Sequence, residues 1–357
     1  MAPCTGASPR CPGALNRAQP SRATGVGQDV VAVDGVREMV RQRRRIGAYG
    51  YCRDGAAVLL ARGSAVADYP VVWQVPGGGL EQGEDPAAAV VREFAEETGL
   101  EVEVTGLRAV VADVVDRPDL GVAMHTDRVI YDVRVVGGAL RDEVVGTTDR
   151  VDWVAPERLS GLALMPFTAE LLGQPAASLP VGVPHELGRR PLDPPAPDVG
   201  QRFAAYGLVT DPSGRVLLTL IANGYPGAGR WHLPGGGTDH GEQPAAGLLR
   251  ELVEESGQLG RIVALLGVGH QYHPAAVGPE GRPMDWHVVR VVYRVVVDVP
   301  TEPVVADTGG STAEARWFVL AGAAALPLTD VASTLLSGAV IDSRRGQMTD
   351  VDDSGRV

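Results

Sequence analysis

Lysine is missing from this chain: its 32 basic residues are all arginine, and they are outnumbered by 44 acidic ones, for a formal net charge of −12 over 357 residues. With a pI near 5.1, that balance excludes binding duplex DNA through a broad basic face, because counterion release needs one. The run Arg43, Arg44, Arg45 is read as a solvated lead-in to a strand. Cysteine is scarce: Cys4, Cys11 and Cys52 are too few and too scattered for a disulfide framework or a four-ligand zinc site, and they suit a reducing cytoplasm. No apolar run approaches the roughly 20 residues of a membrane-spanning helix, so a soluble chain with no membrane partner is expected. The first forty residues lack the apolar core of a secretory signal. The tails hold no evident helix-turn-helix segment.

What the chain does have is a repeat. WQVPGGG at 73–79 returns as WHLPGGG at 231–237, and VREFAEETG at 91–99 returns as LRELVEESG at 249–257, both offset by 158. The β-prone stretch from Tyr49 recurs from Tyr206, HTDRVIYDV from His125 resembles HVVRVVYRV from His287, and GTTDRVDWV from Gly146 resembles GSTAEARWF from Gly310. A period this long is too large for a solenoid unit, so each copy is expected to be a globular domain. Residues 1–39 read as a disordered extension, 40–173 as domain one, 174–200 with its seven prolines as a semi-rigid linker, 201–338 as domain two and 339–357 as a polar tail. Strands dominate both copies. One strong helix per copy follows the glycine run, and a short one is expected near 167–172 and 329–336.

Residues 77–100 concentrate six acidic side chains around one arginine. Asp85 reads as an N-cap, Pro86 as the first helical residue and Gly99 as a C-terminal stop, which predicts a helix over 86–98. Ala87, Val90, Val91 and Phe94 form its apolar stripe, and Glu93, Glu96 and Glu97 fall in one arc of about 100° turned away from it. The second copy repeats this with Pro244, the stripe Ala245, Leu248, Leu249 and Leu252, and the acids Glu251, Glu254 and Glu255. Arg92 and Arg250 lie four residues before Glu96 and Glu254, close enough to pair with them. A solvated acidic face is one reading, since like charges at this spacing cost only about 0.2–0.5 kcal/mol each. A site for a hard divalent cation is the other, because such cations take several oxygen ligands and glycine lets a backbone approach closely.

The segment Gly78–Leu100 resembles the Nudix box, written G-x5-E-x7-R-E-U-x-E-E-x-G-U with U apolar. Gly78, Glu84, Arg92, Glu93, Phe94, Glu96, Glu97, Gly99 and Leu100 fill every defined position. Gly236, Glu242, Arg250, Glu251, Leu252, Glu254, Glu255 and Gly257 do the same in the second copy, where Gln258 stands at an apolar position. Seven positions of fixed identity make a chance match of order 10⁻⁷ per window, at roughly one in ten each.

The resemblance implies an α/β fold: two Nudix folds in tandem, each an α/β/α sandwich with a mixed β-sheet. It implies cleavage of a diphosphate bond in a nucleotide or other nucleoside diphosphate derivative, with Mg²⁺ or Mn²⁺ as cofactor. By match of position, Glu93, Glu96 and Glu97 with the carbonyl of Gly77 would hold metal, as would Glu251, Glu254 and Glu255 with Gly235. Glu93 or Glu251 could serve instead as the base. Arg92 with Glu84, and Arg250 with Glu242, complete the expected catalytic set. An acid on a later loop is a further candidate: Glu143 or Asp149 in the first copy, Asp307 or Glu314 in the second. A nucleotide sensor in which one copy binds without turnover is the alternative from another class, and an isomerase acting on a diphosphate lipid precursor shares the broader fold but lacks a match for its extra residues.

His125 and Arg128, with His287 and Arg290, are candidate substrate contacts. Strand alternation sets Arg128 opposite His125 and Tyr131, so they cannot all face one ligand, and sheet packing is the competing role. Trp73, Trp231, Trp153 and Trp317 read as core anchors or as base-stacking platforms. Pro274 lies sixteen residues past the second box, a spacing that resembles the ADP-ribose pyrophosphatase subgroup, and Pro118 lies eighteen past the first. Loops over 112–125 and 270–286 are expected to set specificity.

Overall fold

A computed structural model describes residues 28–33, 36–117, 121–143, 146–175, 199–277, 283–306 and 309–337. The first copy runs β1 (Gln28–Val33), β2 (Val36–Tyr51), β3 (Arg53–Asp54), β4 (Ala57–Gly63), β5 (Trp73–Gln74), β6 (Gly77–Gly79), α1 (Pro86–Thr98), β7 (Leu100–Arg117), β8 (Val122–Gly138), β9 (Thr148–Val154), α2 (Pro156–Leu159) and α3 (Pro166–Leu171). The second follows with β10 (Val199–Thr210), β11 (Arg215–Ile221), β12 (Trp231–His232), β13 (Gly235–Gly237), α4 (Pro244–Ser256), β14 (Arg261–Val277), β15 (Pro283–Val296), β16 (Thr312–Val319), α5 (Leu320–Ala323) and a last helix, α6, over 330–337. The expected linker lies outside the described residues over 176–198, as do the polar tail and residues 1–27.

Both copies build mixed sheets. β2 and β8 run parallel, β8 and β7 antiparallel, and β6 adds to β2 through Gly47↔Gly79, Ala48↔Gly78 and Tyr49↔Gly77. In the second copy β10, β15, β14 and β13 repeat this pattern. Alternation along the strands supplies two apolar faces: Leu59 enters one core cluster while Val58 and Leu60 enter another, and Leu217 parts from Val216 and Leu218 in the same way. α1 covers one face through Val90 and Phe94, and α3 covers the other through Phe167 and Ala169.

Two expectations change. β1 and the start of β2 lie within the stretch 1–39 assigned to a disordered extension, because QDVVAV pairs in register with the next valine-containing run, from Gln28↔Arg41 to Val33↔Val36. The segments 112–125 and 270–286 are mostly strand: they are the ends of two long hairpins, and Pro274 sits within β14. Pro118 lies outside the described residues.

The helix α1 begins and ends where its punctuation dictates. Asp85 Oδ1 accepts from Ala87 N at 2.9 Å and Ala88 N at 3.1 Å, and Gly99 closes the helix in the left-handed region at φ 72°. In α4 the cap position is Gln243, which makes no side-chain cap bond. Asp85→Ala should therefore lower stability by about 1 kcal/mol, read by chemical denaturation.

The copies share a core. One apolar cluster joins Phe94, Val102 and Tyr131 of the first copy to Leu252, Val291 and Tyr293 of the second, with Leu107 and Leu265 packed against it from β7 and β14. The outer clusters, under α3 and around Trp231, belong to one copy each. This arrangement sets the two glycine-led loops against the opposite copy.

Candidate active site

The glycine strand and the acidic helix meet edge to face. β6 lies alongside α1, and Gly77 takes φ +140° where a Cβ would stand 2.3 Å from the Ala48 carbonyl oxygen, so only glycine fits. A Cβ on Gly78 would stand 2.6 Å from Glu93 Oε1. The missing side chain thus makes a cradle for the Glu93 carboxylate. Glu97 Oε2 accepts from Gly77 N at 2.9 Å and Glu97 Oε1 accepts from the Thr148 hydroxyl at 2.8 Å.

The arc of three acids is split by burial. Glu97 is only 5% exposed, whereas the side chain of Glu96 is 54% exposed and that of Glu93 14%. Val91, expected in the apolar stripe, is 36% exposed, and Pro86, Ala89, Val90, Phe94, Glu97 and Thr98 are the buried positions. The stripe is rotated toward the glycine strand, because β6 packs where a solvent face was expected.

Arg92 organises the exposed part. Its Nε donates to Glu84 Oε1 at 2.8 Å and its Nη2 to Glu84 Oε2 at 2.9 Å, while Nη1 donates to Glu93 Oε1 at 3.0 Å and Glu96 Oε2 at 3.1 Å. This fork holds Glu84 below the ordinary carboxylate range through its bonds to Arg92. Burial pushes Glu93 up, and burial pushes Glu97 up to about 8 against the pull of its Gly77 and Thr148 donors.

The second copy reproduces the geometry. Gly235 N donates to Glu255 Oε2 at 2.8 Å, Thr312 donates to Glu255 Oε1, and Arg250 bonds Glu242, Glu251 and Glu254. Gly236 cradles Glu251, where a Cβ would stand 2.7 Å from Oε1, and burial raises the Glu251 pKa. Gln258, the departure from the box, is buried, but its amide is satisfied: Nε2 donates to Thr301 Oγ1 at 2.9 Å and Ser256 O at 3.0 Å, and Oε1 accepts from Thr301 N at 3.0 Å. Replacing Gln258 with leucine should cost about 1–2 kcal/mol in denaturant unfolding, since it strands the Thr301 amide.

The other candidates part company. Glu143 comes to the site, since its Oε2 accepts from Thr148 N at 3.0 Å, on the same residue whose hydroxyl holds Glu97. Asp149 turns away to pair with Arg62 at 2.8 Å, and Glu314 pairs with Arg316 on the surface. Asp307 lies outside the described residues. Trp73 and Trp231 are buried in core clusters, and Trp153 and Trp317 pack against the shared core.

Arg128 is buried under its own contacts: it lies over the Phe167 ring at 4.2 Å, donates to Tyr49 Oη at 2.6 Å and bonds Asp113 at 2.9 Å. Arg290 is partly exposed on β15, near enough to His232 to help lower its pKa, which burial chiefly depresses. His125 and His287 are fully buried and bond to the opposite copy, so they do not line a pocket of their own domain. Thr148 and Thr312 were missed in the sequence; their shared place in GTTD and GSTA was the available signal.

Among the described residues no three acid, imidazole or thiol groups converge into a preformed cation cage. The donor chemistry fits a divalent cation nonetheless. Glu97 is buried and Glu93 half-buried, so an adjacent positive charge would favour the ionised form of both, and each carboxylate oxygen keeps a further lone pair. No helix among the described residues is long and apolar enough to cross a membrane.

The NUDIX domain model matches residues 41–172 and 200–336. Nudix hydrolase 26, chloroplastic, from Arabidopsis thaliana is 58% identical over 33 residues, 9% of this chain, and the match spans 15% of that relative's length. A MutT-like protein from Streptomyces ambofaciens is 30% identical over 150 residues, covering 41% of this chain and 77% of the relative. Among solved structures, the MutT NUDIX hydrolase from Burkholderia pseudomallei is 27% identical and matches 39% of this chain and 97% of its own, with a TM-score of 0.30. With the family model matched over both halves and the box geometry built twice, this chain belongs to the NUDIX domain family and carries the domain in tandem.

Proposed function

We propose that the protein is a divalent-metal-dependent hydrolase that cleaves a diphosphate bond in a nucleoside diphosphate derivative, with one site in each copy. The observation that carries this reading is the same constellation formed twice: a glycine strand against one buried glutamate and one half-buried glutamate, with an arginine fork closing on the half-buried one and on the remaining acids. Glu93, Glu96 and Glu97 would hold Mg²⁺ or Mn²⁺ with the Gly77 carbonyl, and Glu251, Glu254 and Glu255 would do so with Gly235. When bound, the cation supplies charge that neutralises the phosphates and favours attack by water on phosphorus.

The chain's own residues do the rest. Arg92 and Arg250 orient the carboxylates, and Glu84 and Glu242 anchor those arginines. Glu143, beside Thr148, is the candidate proton acceptor at the first site, and Glu93, with its pKa raised by burial, would be the acceptor if it does not hold metal. Water adds to one phosphorus, the bridging P–O bond breaks, and the bridging oxygen leaves with the other phosphate. A cytoplasmic setting suits the unpaired, buried Cys52.

The test is phosphate release, coupled to a phosphatase, across nucleoside triphosphates, ADP-ribose, dinucleotides and nucleotide sugars with Mg²⁺. Cleavage that vanishes with EDTA supports the reading. Absence of cleavage together with a nucleotide-dependent rise in Tm would favour a sensor.

A further inference from the structure

Each glycine-led loop is held by the opposite copy. Between β6 and α1, Gly83 N donates to Nδ1 of His287 at 3.2 Å, and the Gln82 amide donates to Asp285 Oδ1 at 2.9 Å. A nitrogen that accepts carries no proton, so neutral His287 bears its hydrogen on Nε2, which faces His270 Nδ1 at 3.3 Å. His270 Nε2 lies 3.5 Å from Asp85, the cap of α1. Two imidazoles of the second copy therefore link the middle of the first copy's loop to the start of its helix. The Tyr272 ring closes over Gly83, where a Cβ would stand 2.8 Å from the ring and φ is +80°. Burial keeps His287 below the usual imidazole range, with His270 adding to the effect, which favours the accepting form.

The pattern recurs with the copies exchanged. Gly241 N donates to His125 Nδ1 at 2.7 Å, and His125 Nε2 faces Asp127 Oδ1 at 3.2 Å, a carboxylate also held by Arg44 at 2.7 Å. Gln243 exchanges hydrogen bonds with the backbone of Ala112 in β7. This is the self-complementary contact of a two-fold dimer made within one chain.

Next to each held glycine stands the glutamate that anchors the arginine fork: Glu84 after Gly83, and Glu242 after Gly241. Moving the glycine moves that anchor, and through Arg92 or Arg250 it moves the cradled acids. We propose that His287 is a positioning residue for the first copy's site and His125 for the second copy's, so that each site is set by a histidine of the other domain. The inference rests on the reading that each copy hydrolyses a diphosphate at its own box.

The test uses the full chain. With Glu255→Gln leaving the first site alone active, His287→Leu lowers kcat/KM about tenfold, within the range for losing a supporting partner. His287→Asn, whose Oδ1 can take the place of Nδ1, returns it to within about twofold. With Glu97→Gln as background, His125→Leu and His125→Asn give the mirror result at the second site, while His287→Leu changes that site far less. Hydrogen exchange is measured in parallel: the peptide over 80–85 exchanges faster in His287→Leu, and the peptide over 238–243 exchanges faster in His125→Leu. Exchange needs no turnover, so it decides the positioning claim separately should the parent protein cleave nothing, an outcome that sinks the hydrolase reading alone. Unchanged exchange in the opposite copy's loop, loss confined to the histidine's own copy, or no recovery with asparagine overturns the inference.

Discussion

Glu97→Gln should silence the first copy, lowering its turnover by at least about 10²-fold, and Glu255→Gln should do the same to the second. Glutamine keeps the shape and can accept from Gly77 N while donating toward Thr148, so the two protein contacts of Glu97 survive. What it loses is the negative charge. The fold should persist, since those two contacts survive and Phe94 and Val90 hold α1 on the core. Assayed on substrates found with the wild type, each single variant should retain only the other copy's activity, and the double variant should retain none. Full turnover by the double variant would refute the assignment of both boxes.

The contribution of Glu97 to the stability of the metal-free protein should fall as pH rises from about 5 to about 8, against the opposite slope of the buried His232, and Glu97→Gln should remove that contribution. Burial pushes the Glu97 carboxyl up to about 8, while in the unfolded chain it titrates near the ordinary 4.5. Across that window the unfolded state binds fewer protons than the folded state, so the slope of unfolding free energy with pH is negative. The stabilising contribution is fully present below about 4.5 and is lost as pH passes through about 8. Each tenfold difference in proton affinity between the folded and unfolded chain is worth about 1.4 kcal/mol, so the upper limit is several kcal/mol, or several degrees in Tm.

Melting curves in EDTA at pH 5, 6.5 and 8 measure it. The gap between Glu97→Gln and wild type should open in favour of the variant toward pH 8. Adding Mg²⁺ should raise the wild-type Tm at pH 8 more than at pH 5, because a cation binds the ionised acid, and should raise the variant's less. Parallel curves for the two proteins, with and without Mg²⁺, would contradict a charged, cation-seeking Glu97.

Much of each copy is legible along the chain. Pro86, Gly99 and the cap Asp85 mark α1 to the residue, because helix ends are local chemistry: a ring that suits the first turn, a glycine that takes positive φ, a side-chain oxygen that meets free amides. The acid spacing is equally local, and so is the Arg92 to Glu96 pair at four residues, found at 3.1 Å. The repeat announces two copies of one fold before any tertiary contact is known.

Other features depend on contacts between distant segments. Glu97 and Glu96 are neighbours with the same side chain, yet only Glu97 is buried, because β6 and Thr148 arrive from elsewhere to cover it. Glu143 and Asp149 are equivalent as text, and strand β9 decides between them by giving Asp149 to Arg62. His125 and His287 are matched by the repeat and invite a role in their own domains. Tertiary structure assigns each to the other's loop, across 116 and 204 residues of chain. Local sequence thus determined the elements and the chemistry each could offer, since backbone preference and side-chain periodicity act over a few residues. Only the packing of the two copies on a shared apolar core decided which groups are buried and which loop each histidine holds, since burial and long-range hydrogen bonds belong to neighbours that no stretch of sequence contains.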